Sequence, residues 1–295
     1  MSLETSAGKA TVRLACKTFG LSRAAYYEAK RSQKVIPFER TRKTPSNVLV
    51  PDESLEERIR ALVAEFPAFG VRRIHALLRR EEMRVGYRRV WKTMRRMGLT
   101  LPAVSEREPD PRFGHVAVPE PNRRIGTDLT TVVTRKDGLV AVVPVIDNGC
   151  RSLLALTATK RQDSVAVLAP VRQAMVRAFG DMGRVPDGVE LRTDHGPQYT
   201  GSDCEKLCRE WGLAHTFAPV GRPTGNAVTE RFIRSLKEEL IWLKDWESLD
   251  ELQAALDEFR VYYNGRRPHQ ALGYRTPAEY RAEHLGVALQ EVMAA

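Results

Sequence analysis

The stretch that decides the fold is residues 189–243, VELRTDHGPQYTGSDCEKLCREWGLAHTFAPVGRPTGNAVTERFIRSLKEELIWL. A short apolar run with the pattern of a strand ends at Asp194, and a Gly- and Pro-rich loop spans residues 221–225. Glu230 follows this loop at the start of an amphipathic helical pattern. One carboxylate is thus predicted at the end of a strand, where α/β sheets open into a crevice, and another on a helix.

A third acid, Asp128, interrupts an upstream strand pattern, residues 125–134 (IGTDLTTVVT). The Asp-Gly turn that follows predicts a hairpin to a second strand, residues 139–147. Pro144 weakens that strand locally, and an edge position or a bulge would accommodate it. Three further strands are predicted at residues 151–158, 188–193 and 213–217, with helices at 164–179, 201–211, 226–243 and 248–263. This order predicts an α/β domain with a mixed five-stranded sheet and flanking helices.

All of the excess positive charge lies in the first third of the chain. The 295 residues carry a net charge of +10, and residues 1–111 hold 23 Lys/Arg against 13 Asp/Glu, whereas residues 112–295 hold 24 of each. This asymmetry favours a nucleic-acid-binding region ahead of a charge-balanced domain, although a basic surface without a partner would look the same. No apolar run reaches the length of a membrane span and no secretory pattern opens the chain, so we expect a cytoplasmic protein.

Residues 52–98 predict three short helices, the last of which is basic. In the third helix, Val90, Trp91, Met94 and Met97 are predicted to face inward. A last helix that enters the major groove, with cations around it, is typical of a helix-turn-helix module. A small bundle with a solvated charged face is the alternative. Under the DNA-binding interpretation we expect contacts from Arg72, Arg73, Arg88, Arg89 and Lys92.

Composition shifts divide the chain into segments. Five prolines fall within residues 100–124, which predicts a linker between domains. A second helical pair is predicted in residues 9–30, with a weak helix-turn-helix pattern. The predicted organisation is a helical and basic segment at 1–50, a helix-turn-helix-like domain at 51–99, a linker at 100–122, the α/β domain at 123–285 and a tail at 286–295.

Three clustered carboxylates repel one another unless cations neutralise them, and hard oxygen ligands favour Mg²⁺ or Mn²⁺. Two such ions can clamp the attacking and leaving oxygens of a phosphodiester. Taken singly, Asp194 could be a turn residue and Glu230 a surface acid paired with Arg234. Arg234 and Lys237 share a helix face with Glu230, which suits a DNA backbone entering the site.

The cysteines predict reduced thiols, because Cys16, Cys150, Cys204 and Cys208 are scattered and no secretion signal accompanies them. Cys204 and Cys208 are four residues apart on a predicted helix, and His195 and His215 are not far away in sequence. The absence of a CxxC or HxxxH spacing disfavours a zinc site.

Together these motifs resemble the DDE transposases of bacterial insertion sequences, in the superfamily that includes retroviral integrases. The motifs that carry the resemblance are TDLT at Asp128, DHGPQYT at Asp194, GRPTGNAVTE ending at Glu230, and YYN…RPH…LGYRTPAEY over residues 262–280. Thirty-five residues separate the second and third acids. The resemblance covers about residues 50–285. Ile125 stands where a tryptophan is common, Gly225 where an aspartate is common, and no His₂Cys₂ zinc module precedes the core.

The resemblance implies an RNase H-like core in which Asp128, Asp194 and Glu230 are catalytic ligands of two Mg²⁺ or Mn²⁺ ions. It implies cleavage at the ends of an insertion element, after which the freed 3′-OH attacks a second phosphodiester. Glu230 would be a movable ligand with residues 221–225 as its hinge. Arg234 and Lys237 would hold the terminal DNA near the scissile phosphate. Gln198 and Tyr199 would shape the loop under that phosphate and are counted with the DNA-binding residues. The C-terminal signature would either fold on the core or face DNA.

The implied partners are double-stranded DNA at the element ends and at the target, and at least one further copy of the chain when DNA is bound. An upstream-frame DNA-binding protein is a further expected partner, and the bacterial nucleoid is the expected location. Two alternatives stay open: a sequence-specific DNA-binding protein without catalysis, such as a repressor or an inactive transposase, and an RNase H-like nuclease acting on RNA–DNA hybrids. The three acids at this spacing favour the strand-transferase.

Overall fold

The computed structural model describes residues 52–102, 118–218 and 226–294, together with two short antiparallel strands, β1 (Glu4–Thr5) and β2 (Gly8–Lys9). The chain divides into two compact units, Met1–Val48 and Leu49–Ala295. Apart from Lys9, the helical pair predicted for residues 9–30 lies outside the described residues. The predicted hinge at 221–225 lies outside them entirely, and so does most of the predicted linker. No described helix has the length and apolar character needed to cross a membrane.

Three helices open the second unit: α1 (Asp52–Glu65), α2 (Val71–Arg80) and α3 (Tyr87–Arg96). Their shared apolar core contains Leu55, Ile59, Leu62, Ile74, Leu78, Val90 and Met94. The prediction that Trp91 faces inward was wrong, since its side chain is 37% exposed and the Arg95 guanidinium lies 5.3 Å from its ring. Val90 and Met94 are four residues apart and define the inward stripe, and position 91 is about 100° away from it.

Six assigned strands form the mixed sheet: β3 (Arg124–Thr127), β4 (Thr130–Thr134), β5 (Gly138–Asp147), β6 (Leu153–Thr159), β7 (Glu190–Thr193) and β8 (Ala214–Phe217). β6 pairs antiparallel with one edge of β5. β3 and β4 pair antiparallel with successive parts of the other edge of β5. β3 also pairs in parallel with β7, and β7 in parallel with β8. Because β3 and β4 act as one interrupted strand, the sheet has five strands, and the predicted RNase H-like α/β class is confirmed.

Pro144 lies in a central strand, so the prediction of an edge position was wrong. β5 has partners on both edges, and its register shift falls between Val145 and Ile146, after the proline. The pairings of β3 and β4 with β5 keep one register, which places Asp128 opposite Pro144. A proline has no N–H to donate to a ladder. The interruption of the first strand at Asp128 and Leu129 accommodates it.

Helices cover both faces of the sheet: α4 (Ser164–Phe179), α5 (Pro197–Thr200), α6 (Ser202–Trp211), α7 (Ala227–Glu239), α8 (Leu249–Gly265), α9 (Pro277–Leu285) and α10 (Leu289–Ala294). One apolar layer packs α4 and α6 on the sheet and a second packs α7 and α8. The helix predicted over 226–243 is shorter, because α7 ends at Glu239 and a 3₁₀ turn, Ile241–Leu243, follows. Leu243 is consequently exposed.

Two polar contacts from α8 complete the outer edge of β6. Asn264 accepts from the Leu153 N–H at 2.8 Å and donates to the Leu153 carbonyl at 2.9 Å. Gln253 makes the same kind of contact further along β6, where it accepts from the Ala158 N–H at 2.7 Å and donates to the Leu156 carbonyl at 3.2 Å. These side chains satisfy backbone groups that an exposed edge strand would leave unpaired.

At the end of β5, the fully buried Asp147 carboxylate collects donors from three parts of the chain. It accepts from the backbone N–H groups of Asn122 (2.6 Å) and Gly149 (2.8 Å) and from Arg281 Nη1 of α9 (3.1 Å). A buried charge is tolerated when it is paired and hydrogen-bonded in this way. Asp147 therefore holds α9 and the start of the domain against the sheet.

The three-helix region packs directly on the α/β core. The rings of Phe66 and Tyr262 stack with centroids 5.6 Å apart. Arg266 Nη2 lies 2.6 Å from Glu65 Oε1 beside this stack, and Arg80 of α2 forms a two-pronged ion pair with Glu279 of α9. The two predicted domains thus share one compact unit.

The first turn of α7 lies unusually close to β3. A Cβ atom placed on Gly126 would come within 2.5 Å of Thr229 Oγ1 and 2.9 Å of Asn148 Oδ1. Asn226, the residue before α7, donates from Nδ2 to the Thr127 carbonyl at 3.1 Å and accepts from Thr229 Oγ1 at 2.7 Å. Only glycine at position 126 permits this approach.

We expect Gly126→Ala to lower the free energy of unfolding by about 1–3 kcal/mol, because the added methyl group forces α7 away from β3. Chemical denaturation of the purified protein measures this change. Gly86→Ala is the matched control, since Gly86 has an ordinary φ of −79° and open space around its Cβ position. Equal stabilities of the two variants would contradict the close-packing argument.

Candidate active site

The parallel register of β3 and β7 brings the first two acids together. Gly126 pairs with Arg192, and two residues further along each strand stand Asp128 and Asp194. Both carboxylates therefore leave the sheet side by side at the same edge. This edge is the carboxyl end of the parallel strands, where α/β sheets place their binding crevices.

Asp128 is half-buried and lies where the first strand is interrupted. Its Oδ1 accepts from the Leu129 N–H at 2.7 Å. The preceding Thr127 is buried, and its hydroxyl donates to the Pro144 carbonyl at 2.9 Å. These bonds fix the backbone on either side of the carboxylate, so that its direction is set by the sheet.

Asp194 begins the turn after β7. Its Oδ1 accepts from the Gly196 N–H at 3.0 Å, which closes a side-chain turn that directs the chain into α5. The Thr193 hydroxyl donates to the Asp194 carbonyl at 2.8 Å. Asp194 itself is exposed, so the carboxylate is held by its own turn and remains open to solvent.

Glu230 lies on the exposed face of the first turn of α7, and its backbone N–H bonds to the Asn226 carbonyl at 3.0 Å. Because the Asn226 side chain is bonded to Thr127, the start of this helix is tied to the residue before Asp128. The far end of α7 is tied as well. Arg267 is almost fully buried and donates from Nε to Glu239 Oε2 at 2.8 Å and from Nη2 to Ser235 Oγ at 3.1 Å.

The three acids share one electrostatic environment. The pKa of Asp128 is raised to about 6, chiefly by burial; the charges of Asp194 and Glu230 contribute to the increase, whereas the Leu129 N–H and the Lys237 ammonium oppose it. Burial also raises the pKa of Glu230. Negative charge on Asp194 or on Glu230 thus disfavours negative charge on Asp128, as expected for a carboxylate with like charges nearby.

The acids fit hard divalent cations. Within residues 118–218 and 226–294, Asp128, Asp194 and Glu230 enter no ion pair with Lys, Arg or His, although their surroundings contain charged groups. Their oxygen atoms do not all lie within 4.8 Å of one another. A single ion could not contact all three in this arrangement, whereas two ions distributed among them need no such convergence. Oxygen-only donors favour the Mg²⁺ or Mn²⁺ class.

The residues predicted to touch DNA near the acids divide into two groups. Arg234 is exposed and Lys237 half-buried on α7, and both remain available beside Glu230. Tyr199 is buried, with its hydroxyl 3.4 Å from Thr127 Oγ1, so it packs beneath the site and offers no surface to DNA. Gln198 is half-buried and donates to the Gln162 carbonyl at 3.2 Å, which steadies α5.

The residues predicted to touch DNA in the three-helix region also fall into two groups, those that are exposed without an ion pair and those that contact other side chains of the protein. Arg72, Arg88 and Lys92 are exposed, and none of them enters an ion pair among the described residues. Arg89 Nη2 lies 2.7 Å from Asp52 Oδ1. Arg73 faces the core, 5.0 Å from the Phe69 ring centre and 3.7 Å from Glu239 Oε1, so its position supports an intramolecular role.

Sequence reasoning missed the residues that position the acids. Asn226 was noted only as part of a motif, and Gly126, Thr229 and Asp147 were not singled out. In the C-terminal signature, Tyr263, Arg267 and His269 are buried around the end of α7, so these three residues pack within the fold. Two signals in the sequence could have identified positioning residues. Gly126 is a small residue two positions before Asp128 in a strand, and Asn226 lies four positions before Glu230 on a helix.

Comparison with known proteins gives matches over most of the chain. Residues 118–223 and 211–277 match the family described as "Integrase core domain", and residues 51–106 match "HTH-like domain". The transposase InsD of insertion element IS2 from Escherichia coli is 32% identical over 234 residues, which cover 76% of each chain. An uncharacterized 31.7 kDa protein of insertion element IS407 from Burkholderia multivorans is 27% identical, over 94% of this chain and 92% of its own length.

Among solved structures, the magnesium complex of the HTLV-2 integrase catalytic core domain matches 55% of this chain and 97% of its own, with 14% identity and a TM-score of 0.40. A simian T-cell lymphotropic virus intasome matches 76% of this chain and 74% of its own, with 17% identity and a TM-score of 0.47. The level of identity to InsD over three quarters of both proteins, together with integrase core matches of which one includes Asp128 and Asp194 and the other Glu230, establishes the family. The chain belongs to the transposases of bacterial insertion sequences that carry an integrase core domain.

Proposed function

We propose that this chain catalyses divalent-metal-dependent cleavage and strand transfer at the ends of an insertion element. The observation that carries the proposal is that Asp128 and Asp194 follow neighbouring parallel strands at the carboxyl edge of the sheet, and that the charges of Asp194 and Glu230 both raise the pKa of Asp128. The match to the integrase core family supports the same chemistry. We infer that the protein acts on DNA in the bacterial cytoplasm, at the nucleoid.

Two ions of the Mg²⁺ or Mn²⁺ class, when bound by the three carboxylates, would neutralise the scissile phosphate and activate the attacking hydroxyl. The chain's own contribution is positional. The strand ends fix Asp128 and Asp194, and the Asn226 bond to Thr127 sets the distance of Glu230 from them. Arg234 and Lys237 would pair with the phosphates that flank the reacting bond.

The outer face of α3 is the proposed entry for element-end DNA. It presents Arg88 and Lys92 together with the exposed rings of Tyr87 and Trp91. Cations bind phosphates, and aromatic rings suit base or sugar edges. Since strand transfer joins two element ends to one target, the active species would contain at least two copies of the chain, with an upstream-frame DNA-binding protein as a further proposed partner.

We expect Asp128→Asn and Glu230→Gln each to reduce strand transfer by at least about 10²–10³-fold, because each removes a charge that holds the cations at the reacting phosphate. The measurement is joining of a labelled element-end duplex to target DNA in Mg²⁺. Glu238→Gln is the control, since it removes an exposed charge from the same helix. DNA binding should stay within about threefold in all three variants, given that cations on the protein supply most of the affinity.

Strand transfer at the wild-type rate by both acid variants would rule out the proposed metal site. A wild-type protein that binds element ends and never cleaves or joins them would instead be the non-catalytic DNA-binding protein. Cleavage restricted to RNA–DNA hybrids would identify the chain as a nuclease of the RNase H type.

We expect Asp128→Asn to stabilise the metal-free protein. The pKa of Asp128 is raised in the folded state, so wild-type stability falls as the pH rises from about 4 through about 6 and stays low above it. Because one pKa unit corresponds to about 1.4 kcal/mol, the variant should be more stable by about 1–3 kcal/mol at pH 7.5 and about equal near pH 3.

Urea unfolding in EDTA, repeated across this pH range, measures the difference. Added Mg²⁺ should then stabilise the wild type and leave Asp128→Asn nearly unchanged, because a ligand stabilises only the state that binds it. A variant that is less stable than the wild type at pH 7.5 in EDTA would contradict the proposed repulsion among the three acids.

We expect Arg88→Ala/Lys92→Ala to weaken binding of element-end DNA and to reduce the slope of log K against log salt concentration by about 2, since each lost phosphate contact accounts for about 0.9. Fluorescence anisotropy at several salt concentrations measures both quantities. The charge-matched control is Arg135→Ala/Lys136→Ala in the β4–β5 turn, where both cations pair with Glu247. An identical slope in the two double variants would refute the assignment of α3 to DNA.

A further inference from the structure

A second cluster of metal-binding groups lies apart from the three acids. Cys204 and Cys208 of α6 and His215 of β8 bring two sulfur atoms and an imidazole nitrogen within 4.8 Å of one another. Among the described residues, no other set of three or more His, Cys, Asp or Glu side chains converges in this way. Both cysteines are buried and His215 is half-buried, so the cluster lies just below the surface.

The hydrogen bonds of Thr193 determine which nitrogen of His215 is free. The Thr193 hydroxyl has one proton, which it donates to the Asp194 carbonyl at 2.8 Å. His215 Nε2 lies 3.0 Å from Thr193 Oγ1, and because the hydroxyl proton is used for the Asp194 carbonyl, Nε2 is assigned as the donor in this contact. His215 Nδ1 is then unprotonated, and it lies 3.9 Å from Cys204 Sγ.

This arrangement is the one that metal-binding histidines adopt. Their second nitrogen is usually held by a hydrogen bond that fixes the tautomer and the orientation of the ring. Here Thr193 performs that function for Nε2. Nδ1 and Nε2 lie 3.9 Å and 4.0 Å from Cys204 Sγ, so the edge of the ring lies beside this thiol and a small rotation would direct Nδ1 toward it. The orientation comes from the protein itself and does not depend on an ion being present.

We propose that Cys204, Cys208 and His215 form a binding site for a thiophilic cation of the Zn²⁺ class. Two thiolates and one imidazole suit Zn²⁺ and exclude Mg²⁺, which prefers oxygen ligands. Binding would release the protons of both thiols, and a water molecule would complete the tetrahedral coordination. Tetrahedral bonds of about 2.0–2.3 Å place ligand atoms about 3.5–3.8 Å apart, so the side chains need to move together by about 1 Å at most.

The site would join α6 to β8 at the edge of the sheet that carries Asp194. His215 and Thr193 lie on adjacent strands, and Thr193 immediately precedes the acid. A bound ion would therefore hold the last two strands and the helix above them in one arrangement. The expected consequence is higher stability of this edge, independent of whether the chain transfers DNA strands.

Titration of the full-length protein with Co²⁺ tests the proposal, because cobalt replaces zinc and reports its ligands by absorption. We expect one equivalent of Co²⁺ to give intense thiolate-to-cobalt charge transfer and the visible bands of a tetrahedral ion, and Zn²⁺ to remove them by displacement. The spectrum should persist in Asp128→Asn/Glu230→Gln, which separates this site from the carboxylates. Zn²⁺ should also raise the unfolding temperature of the reduced protein.

Cys204→Ser and Cys208→Ser should each remove most of the charge-transfer absorption. Cys150→Ala is the matched control, since Cys150 is a buried thiol in a different part of the fold, bonded to Ser152. His215→Asn changes only a half-buried side chain, so it keeps the test valid if a cysteine variant fails to fold. It should weaken Zn²⁺ binding by at least about 10-fold, given that loss of even an outer partner costs 10–100-fold.

A cobalt spectrum without thiolate charge transfer would overturn the proposal, as would one that is unchanged in Cys204→Ser or in His215→Asn. In either case Cys204 and Cys208 would be ordinary packed thiols of the apolar layer beneath α6.

Discussion

The position of the active site depends on the contact between the start of α7 and the end of β3. Gly126 allows Thr229 to approach the strand, and Asn226 uses its side chain to bond the Thr127 carbonyl across the gap. A hydrogen bond of this kind contributes only about 1 kcal/mol. Its importance is geometric, because Asp128 follows two residues after Gly126 and Glu230 follows four residues after Asn226. One contact thereby fixes the separation of two acids that are a hundred residues apart in the chain.

The site gains its chemistry at the expense of local stability. Asp128, Asp194 and Glu230 enter no ion pair among the described residues, and burial together with the charges of the other two acids opposes the charge of Asp128. Buried charges elsewhere in the domain are paired: Arg267 is bonded to Glu239, and Arg281 to Asp147. Functional sites commonly break local rules in this manner while the remainder of the fold supports them. Under the proposed function, relief of this repulsion would favour the binding of divalent cations.

Sequence patterns predicted the acids and the sheet better than they predicted packing. Strand alternation and the Asp-Gly turn located the β4–β5 hairpin, and the motifs located all three acids. Periodicity predicts the face of an element but not which neighbour covers it, so Trp91 was placed inside and Tyr199 at the DNA surface. For the same reason the cluster around His215 had no signature: its ligands come from a helix and a separate strand, and no fixed spacing relates them.

The docked position of the three helices changes how the positive charge of the first third should be interpreted. Arg80 pairs with Glu279, and Arg73 lies against Glu239, so part of the basic surface of α2 faces acids of the core. Exposed ion pairs contribute about 0–1 kcal/mol each, whereas stacked aromatic rings bury large apolar areas. Phe66 and Tyr262 should therefore stabilise the docking more than the arginines do. Arg88 and Lys92 of α3 enter no ion pair within the part of the chain that the structure describes, and DNA bound to them would have a defined position relative to the three acids.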